Sequence, residues 1–133
     1  MLIFVSAIIS ACNTNSGVNA STHDQQKEVE MAPRMTFESS TTDFGEIRQG
    51  ENIVVFFTYK NTGGKDLLVY EVIPSCGCTT AKLDKSPLSP GEKREVEVSF
   101  NSEGWSGHQQ KSITFKTNGE PDYATIVLKG FVN

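Results

Sequence analysis

Glu95-Val96-Glu97-Val98-Ser99-Phe100 alternates polar and apolar side chains without a break. Successive residues of an extended chain point to opposite faces, so Val96, Val98 and Phe100 share one face and Glu95, Glu97 and Ser99 the other. This is a strand with one side in a core and one in water. The same reading extends outward in both directions. Upstream, Ile53-Val54-Val55-Phe56-Phe57-Thr58-Tyr59 places Ile53, Val55, Phe57 and Tyr59 on one face. Residues 67–73 make a further strand stopped by Pro74, and Phe37 and Phe44 flank a polar run that reads as a first strand, kinked and closed by Gly45. Downstream, Ile113 and Phe115 alternate with Ser112, Thr114 and Lys116, and Ala124, Ile126 and Leu128 line one face of the last strand. Turn residues separate these segments: Asn61-Thr62-Gly63-Gly64-Lys65, where Asn and Gly tolerate positive φ, then Leu88-Ser89-Pro90-Gly91-Glu92, then Asn118-Gly119-Glu120-Pro121-Asp122. About seven short strands and no convincing helical period predict an all-β sandwich.

The N-terminus has a different character. Residues 1–11 form an apolar run that suits a secretory h-region of roughly 7–15 residues and is too short for a membrane span. Ile9-Ser10-Ala11-Cys12 resembles a bacterial lipobox, in which the cysteine thiol is acylated and the chain is cut just before it. Residues 1–11 hold no Lys or Arg, so the basic opening of a full signal is expected upstream of Met1. Cys12 is therefore expected to carry a lipid anchor. Residues 12–33 are polar and lack an apolar period, which predicts a flexible tether reaching about 25 Å. His23 is part of it. The folded domain is then expected over residues 34–133, about 100 residues and one domain of ordinary size.

Twelve basic and 16 acidic residues, without blocks of like sign, give a formal charge of −4. No basic face for nucleic acid follows from that balance. With Cys12 acylated, Cys76 and Cys78 remain as an even pair in an oxidising compartment.

Ser75-Cys76-Gly77-Cys78-Thr79 carries the only reactive chemistry of the domain. The two thiols can bond to each other, bind a soft metal such as Cu(I) or Zn(II), or stay reduced and pack. A bond would need Gly77 to allow a tight bend, and so small a ring would be strained and readily reduced. A closed zinc site would need four ligands, and His108 is the only local addition. Thioredoxin-like chemistry would want Cys-x-x-Cys at a helix N-terminus, and neither is present. Trp105, between Gly104 and Gly107, and His108 are expected on a surface loop as an anchor or partner contact. Neither a phosphate-cradling glycine loop nor a nucleophile–base–orienter set can be assembled, so no catalytic residues and no cofactor are expected.

The order Asp43-Phe44-Gly45, Phe57-Thr58-Tyr59-Lys60-Asn61-Thr62-Gly63, Ser75-Cys76-Gly77-Cys78-Thr79, Ser89-Pro90-Gly91, Val98-Ser99-Phe100 and Thr117-Asn118 resembles the bacterial family called domain of unknown function 1573 (DUF1573). That family is similar in plan to the Ig-like modules of major sperm protein and of cilium- and centrosome-associated proteins, and is frequent in lipoproteins of Bacteroidetes-type bacteria. The resemblance implies an Ig-like β-sandwich in an exported setting, and no activity. The expectation is a non-enzymatic module held to a membrane by its lipid, with a structural role or an unknown protein or glycan partner. Soft-metal or thiol-redox handling at Cys76 and Cys78 is the alternative. Asn13-Thr14-Asn15-Ser16 lacks the acidic cluster that resembles a surface-export signal, which points to a periplasm-facing anchor at the cell envelope.

Overall fold

A computed structural model describes residues 31–133. The signal segment, Cys12, His23 and most of the expected tether lie outside the described residues. Eight strands follow in order: β1 (Met35–Phe37), β2 (Thr41–Ile47), β3 (Asn52–Asn61), β4 (Val69–Pro74), β5 (Thr79–Lys82), β6 (Lys93–Asn101), β7 (Gly107–Thr117) and β8 (Tyr123–Val132). They form two four-stranded sheets, β1-β3-β6-β5 and β2-β8-β7-β4, an Ig-like sandwich.

The alternation seen in the sequence explains which faces meet. Phe57, Tyr59, Val96, Val98 and Phe100 point inward from the first sheet, and Ile113, Phe115, Ile126, Leu128 and Val132 from the second; all are buried. Phe37 joins the layers, its ring lying 5.7 Å from Tyr59 on its own sheet and 5.5 Å from Phe115 on the other. Burial of side chains this large supplies most of the driving force for folding.

Two features of the strand layout depart from the sequence reading. The kinked first strand is two strands on different sheets. β1 pairs antiparallel with β3, and β2 pairs parallel with β8. The chain leaves the first sheet after Glu38, whose amide donates to the Thr58 carbonyl at 2.9 Å, and joins the second at Ser40, whose carbonyl accepts from Val127 at 2.7 Å. Gly45 does not end a strand: at φ 75° it sits where the β2–β8 register shifts, making a bulge inside β2. The other departure is β5, a short strand pairing with β6 from Thr79↔Phe100 to Lys82↔Glu97. Its Thr-Thr-Ala-Lys composition carries little apolar alternation to announce it.

Ala32 and Pro33, read as tether, are bonded into the fold. The Ala32 carbonyl accepts from Gly64 at 3.3 Å and the Pro33 carbonyl from Glu120 at 2.9 Å. This contact gives Gly63 its reason. A Cβ there would lie 2.6 Å from both Pro33 Cα and Arg34 N. Among the described residues only glycines 45, 50, 91, 104 and 107 have positive φ, so the Asn61–Lys65 turn relies on close approach and not on the left-handed region.

Candidate functional site

The Cys-Gly-Cys segment forms the bend between β4 and β5, where the chain crosses from the second sheet to the first. Cys76 and Cys78 are disulfide-bonded, with their Cα atoms 5.2 Å apart. The bend is tied on both sides: the Ser75 amide donates to the Ser112 carbonyl at 2.8 Å, and the Asn101 amide to the Cys78 carbonyl at 2.9 Å. Cys78 packs against the core, while Gly77 is exposed. Cys76 Sγ lies 3.4 Å from Thr79 Oγ1.

The same end of the sandwich carries Trp105 and a residue that periodicity did not single out, Lys111. Its side chain points inward from β7 and is 6% exposed. Its Nζ lies 3.3 Å from the centre of the Trp105 ring and 5.6 Å from that of Phe100. None of the ion pairs among the described residues includes it. Loss of hydration lowers its pKa from the ordinary 10.5, and the indole face supplies part of the missing stabilisation. Nearby Gln109 also points inward and donates to the Ser106 carbonyl at 2.8 Å. Trp105 is thus a loop anchor with a stated task, covering a cation at the rim of the core.

His108 is not on the loop with Trp105, as the sequence had suggested. It lies on β7 opposite Phe131 of β8, with ring centres 5.0 Å apart. There it lines an open groove of ≈530 Å³ on the outer face of the second sheet, with Asp43, Glu46, Lys129 and Phe131. Asp43 is partly occupied, since its Oδ1 accepts from the Gly45 amide at 2.8 Å. Among the described residues no three of His, Cys, Asp and Glu converge as a metal-binding set, and His108 is not brought to the cysteines.

A further surface is set by strand pairing alone. β1 is only three residues long and covers β3 from Tyr59 to Asn61. Beyond the Glu38–Thr58 bond, no strand among the described residues pairs with that edge of β3. Thr58 turns its carbonyl toward β1, so by alternation the N–H and C=O groups of Asn52, Val54 and Phe56 face the uncovered side. Val54 and Phe56 are 51% and 58% exposed. Large apolar side chains beside unpaired main-chain groups are a template for another strand.

The sequence matches the family described as "Protein of unknown function (DUF1573)" over residues 35–132, from β1 to the end of β8. The chain belongs to the DUF1573 family. No curated protein matches it. Solved structures similar to this DUF1573 chain share its fold. A protein of unknown function from Porphyromonas gingivalis W83 is 20% identical with TM-score 0.66, over 77% of this chain and 48% of that one. The seventh PapD-like domain of human CEP192 is 11% identical with TM-score 0.60, over 100% and 98%. The VesB protease of Vibrio cholerae is 14% identical with TM-score 0.57, over 84% and 34%. The DUF1573 chain thus spans about half of the first relative and a third of the protease, and at these identities the likeness is one of fold. Within the DUF1573 domain, the residues missed by sequence reading are Lys111 and the β3 edge. A charge in an inward register position was the available signal for Lys111; Val54 and Phe56 in the outward register, where water-facing strands carry polar residues, was the signal for the edge.

Proposed function

We propose that this chain is an exported, lipid-anchored Ig-like module without catalytic activity, holding a structural or partner-binding role at the periplasmic side of the cell envelope. The observation that carries the binding role is the uncovered edge of β3 with Val54 and Phe56 exposed on it. Addition of a strand to a sheet edge supplies affinity through main-chain hydrogen bonds and specificity through alternate side chains. The anchor rests on the lipobox-like residues ending at Cys12 and on the apolar run before them. Two measurements test the reading. Metabolic palmitate labelling of the full chain should be abolished by Cys12→Ser; equal label in both would remove the anchor. A photo-crosslinker in place of Phe56 should give a discrete product in cells while one in place of exposed Tyr123 gives none. No product at Phe56 would remove the binding role.

A second reading, thiol exchange at Cys76–Cys78, draws support from the exposed Gly77 at the centre of the bend, which leaves the bond approachable. A reduction potential below about −300 mV would place the bond among inert structural disulfides and end that reading.

A further inference from the structure

Each sheet has two edges, and three of the four are blunted in ways that proteins use against unwanted pairing. β5 is four residues long and ends in Lys82. β4 has a register shift between Val69 and Glu71, ends in Pro74, and the Tyr70 carbonyl accepts from Lys85 Nζ at 3.5 Å. β2 has its bulge between Asp43 and Glu46. The uncovered part of β3, Asn52-Ile53-Val54-Val55-Phe56-Phe57, has no charge, no proline and no bulge.

We propose that this edge binds a second copy of the same chain, β3 pairing antiparallel with β3 across a two-fold axis at Val54. The inference rests on the partner-binding reading above and names its partner. Geometry selects the register. Asn52, Val54 and Phe56 face outward along the edge, so in the dimer Asn52 lies opposite the other copy's Phe56, and Val54 opposite the other copy's Val54. Each pair exchanges both main-chain N–H···O bonds. With Val54 on the axis, Thr58 lies opposite the other copy's Gly50, which precedes β3, so the Glu38–Thr58 bond of each copy is left undisturbed. A register centred on Val55 would instead place Asn52 opposite Thr58 and collide with β1. The uncovered stretch is therefore as long as a two-fold pairing about Val54 requires. Its lack of charge also favours self-association, because a charged edge would meet its own sign across the axis. Phe56 reaches the other copy's Val54 along the diagonal, within range of an aromatic ring. An isologous contact of this kind closes at two copies and leaves no growing edge.

The test uses the full chain in cells. Val54→Cys places two thiols on one face of a hydrogen-bonded pair at a Cα separation of about 5.5 Å, within reach of a short bifunctional thiol crosslinker. That reagent should yield a linked product of twice the chain mass, while Tyr70→Cys on the β4 edge should not. A photo-crosslinker replacing Phe56 should give a product of the same doubled mass. Val54→Asp or Val54→Lys alone should abolish that photo-product, and co-expression of the two should restore it, because opposite charges then meet on the axis. Restoration is not expected of a variant that merely unfolds. A Phe56 product of some other intermolecular mass would overturn the second copy as occupant and leave the partner-binding reading standing. A link within one chain, to residues 1–30, would also overturn it. The absence of any product from the Phe56 crosslinker would overturn the proposal and the reading beneath it.

Discussion

Asn61 is fully buried at the end of β3, and its side chain uses its full hydrogen-bonding capacity. Nδ2 donates to the Lys65 carbonyl at 2.7 Å and to the Leu88 carbonyl at 2.8 Å. Oδ1 accepts from the Gly63 amide at 3.0 Å and the Arg34 amide at 3.3 Å. One amide thus holds the turn, the loop before β6 and the entry of the chain. Asn61→Ala removes all four bonds. A net value of about 1 kcal/mol per bond sets the scale. The 3.3 Å bond counts for less, and two carbonyls are rescued: Leu88 keeps the Leu67 amide at 2.9 Å, and exposed Lys65 meets water. The expected loss is about 3 kcal/mol, which for a domain of this size lowers Tm by about 12–24 °C. Urea unfolding followed by the emission of Trp105 measures it. Thr62→Ala, which removes only the exposed hydroxyl pair with Thr36 at 2.7 Å, should change stability by under about 0.5 kcal/mol. Asn61→Asp adds a sign test. It turns a carboxylate oxygen toward two carbonyls in a buried site, so its folded-state pKa rises above the unfolded value. The folded state then binds the extra proton, and the stability gap between Asn61→Asp and Asn61→Ala should narrow as pH falls through the folded pKa. A loss below about 1 kcal/mol for Asn61→Ala would refute the hub argument.

Three further predictions follow from the packing. A Cβ at Gly130 would overlap the Phe44 ring, which itself packs 5.6 Å from Phe100; Gly130→Ala should cost about 1–3 kcal/mol. Adding Phe44→Ala should recover part of that loss, and strict additivity of the two in urea unfolding would count against the clash. Lys111 releases its proton at lower pH in the folded chain than its ordinary 10.5, so the unfolded state binds more protons between the two values. Stability should therefore rise with pH across the interval ending near 10.5, Trp105 emission should shift with it, and Lys111→Met should be at least as stable and lose that slope; an unchanged slope would refute the assignment. The Cys76–Cys78 loop is so short that its closure contributes only about 1.5 kcal/mol. The Cys76→Ser/Cys78→Ser variant should fold with that modest loss, and an unfolded variant by circular dichroism would show that the bond does more.

How legible each part was depends on whether the signal is local. Strands with one wet face wrote themselves into the sequence: β6 and β8 were read from period-two alternation that survives in the structure, because burial of Val96, Val98, Phe100, Ile126 and Leu128 requires it. β7 was read only from Ser112 onward. Its first half puts Gln109 and Lys111 in the inward register, and polar residues there erase the alternation that would have placed His108 on a strand.

Sequence by itself determined the class of fold and the family, since each rests on residue type and spacing along one chain, whereas the bond between Cys76 and Cys78, one of three states open to the pair in the sequence, came from the structure. Tertiary structure alone decided which edges are covered. The split of the first strand between two sheets, the contact of Ala32 and Pro33 with Gly63, and the uncovered side of β3 all depend on residues far apart in the chain meeting in space. Main-chain N–H and C=O groups are the same in every residue except proline. Whether those of Val54 and Phe56 find a partner is therefore set by how far β1 runs before it crosses over, and not by their own side chains.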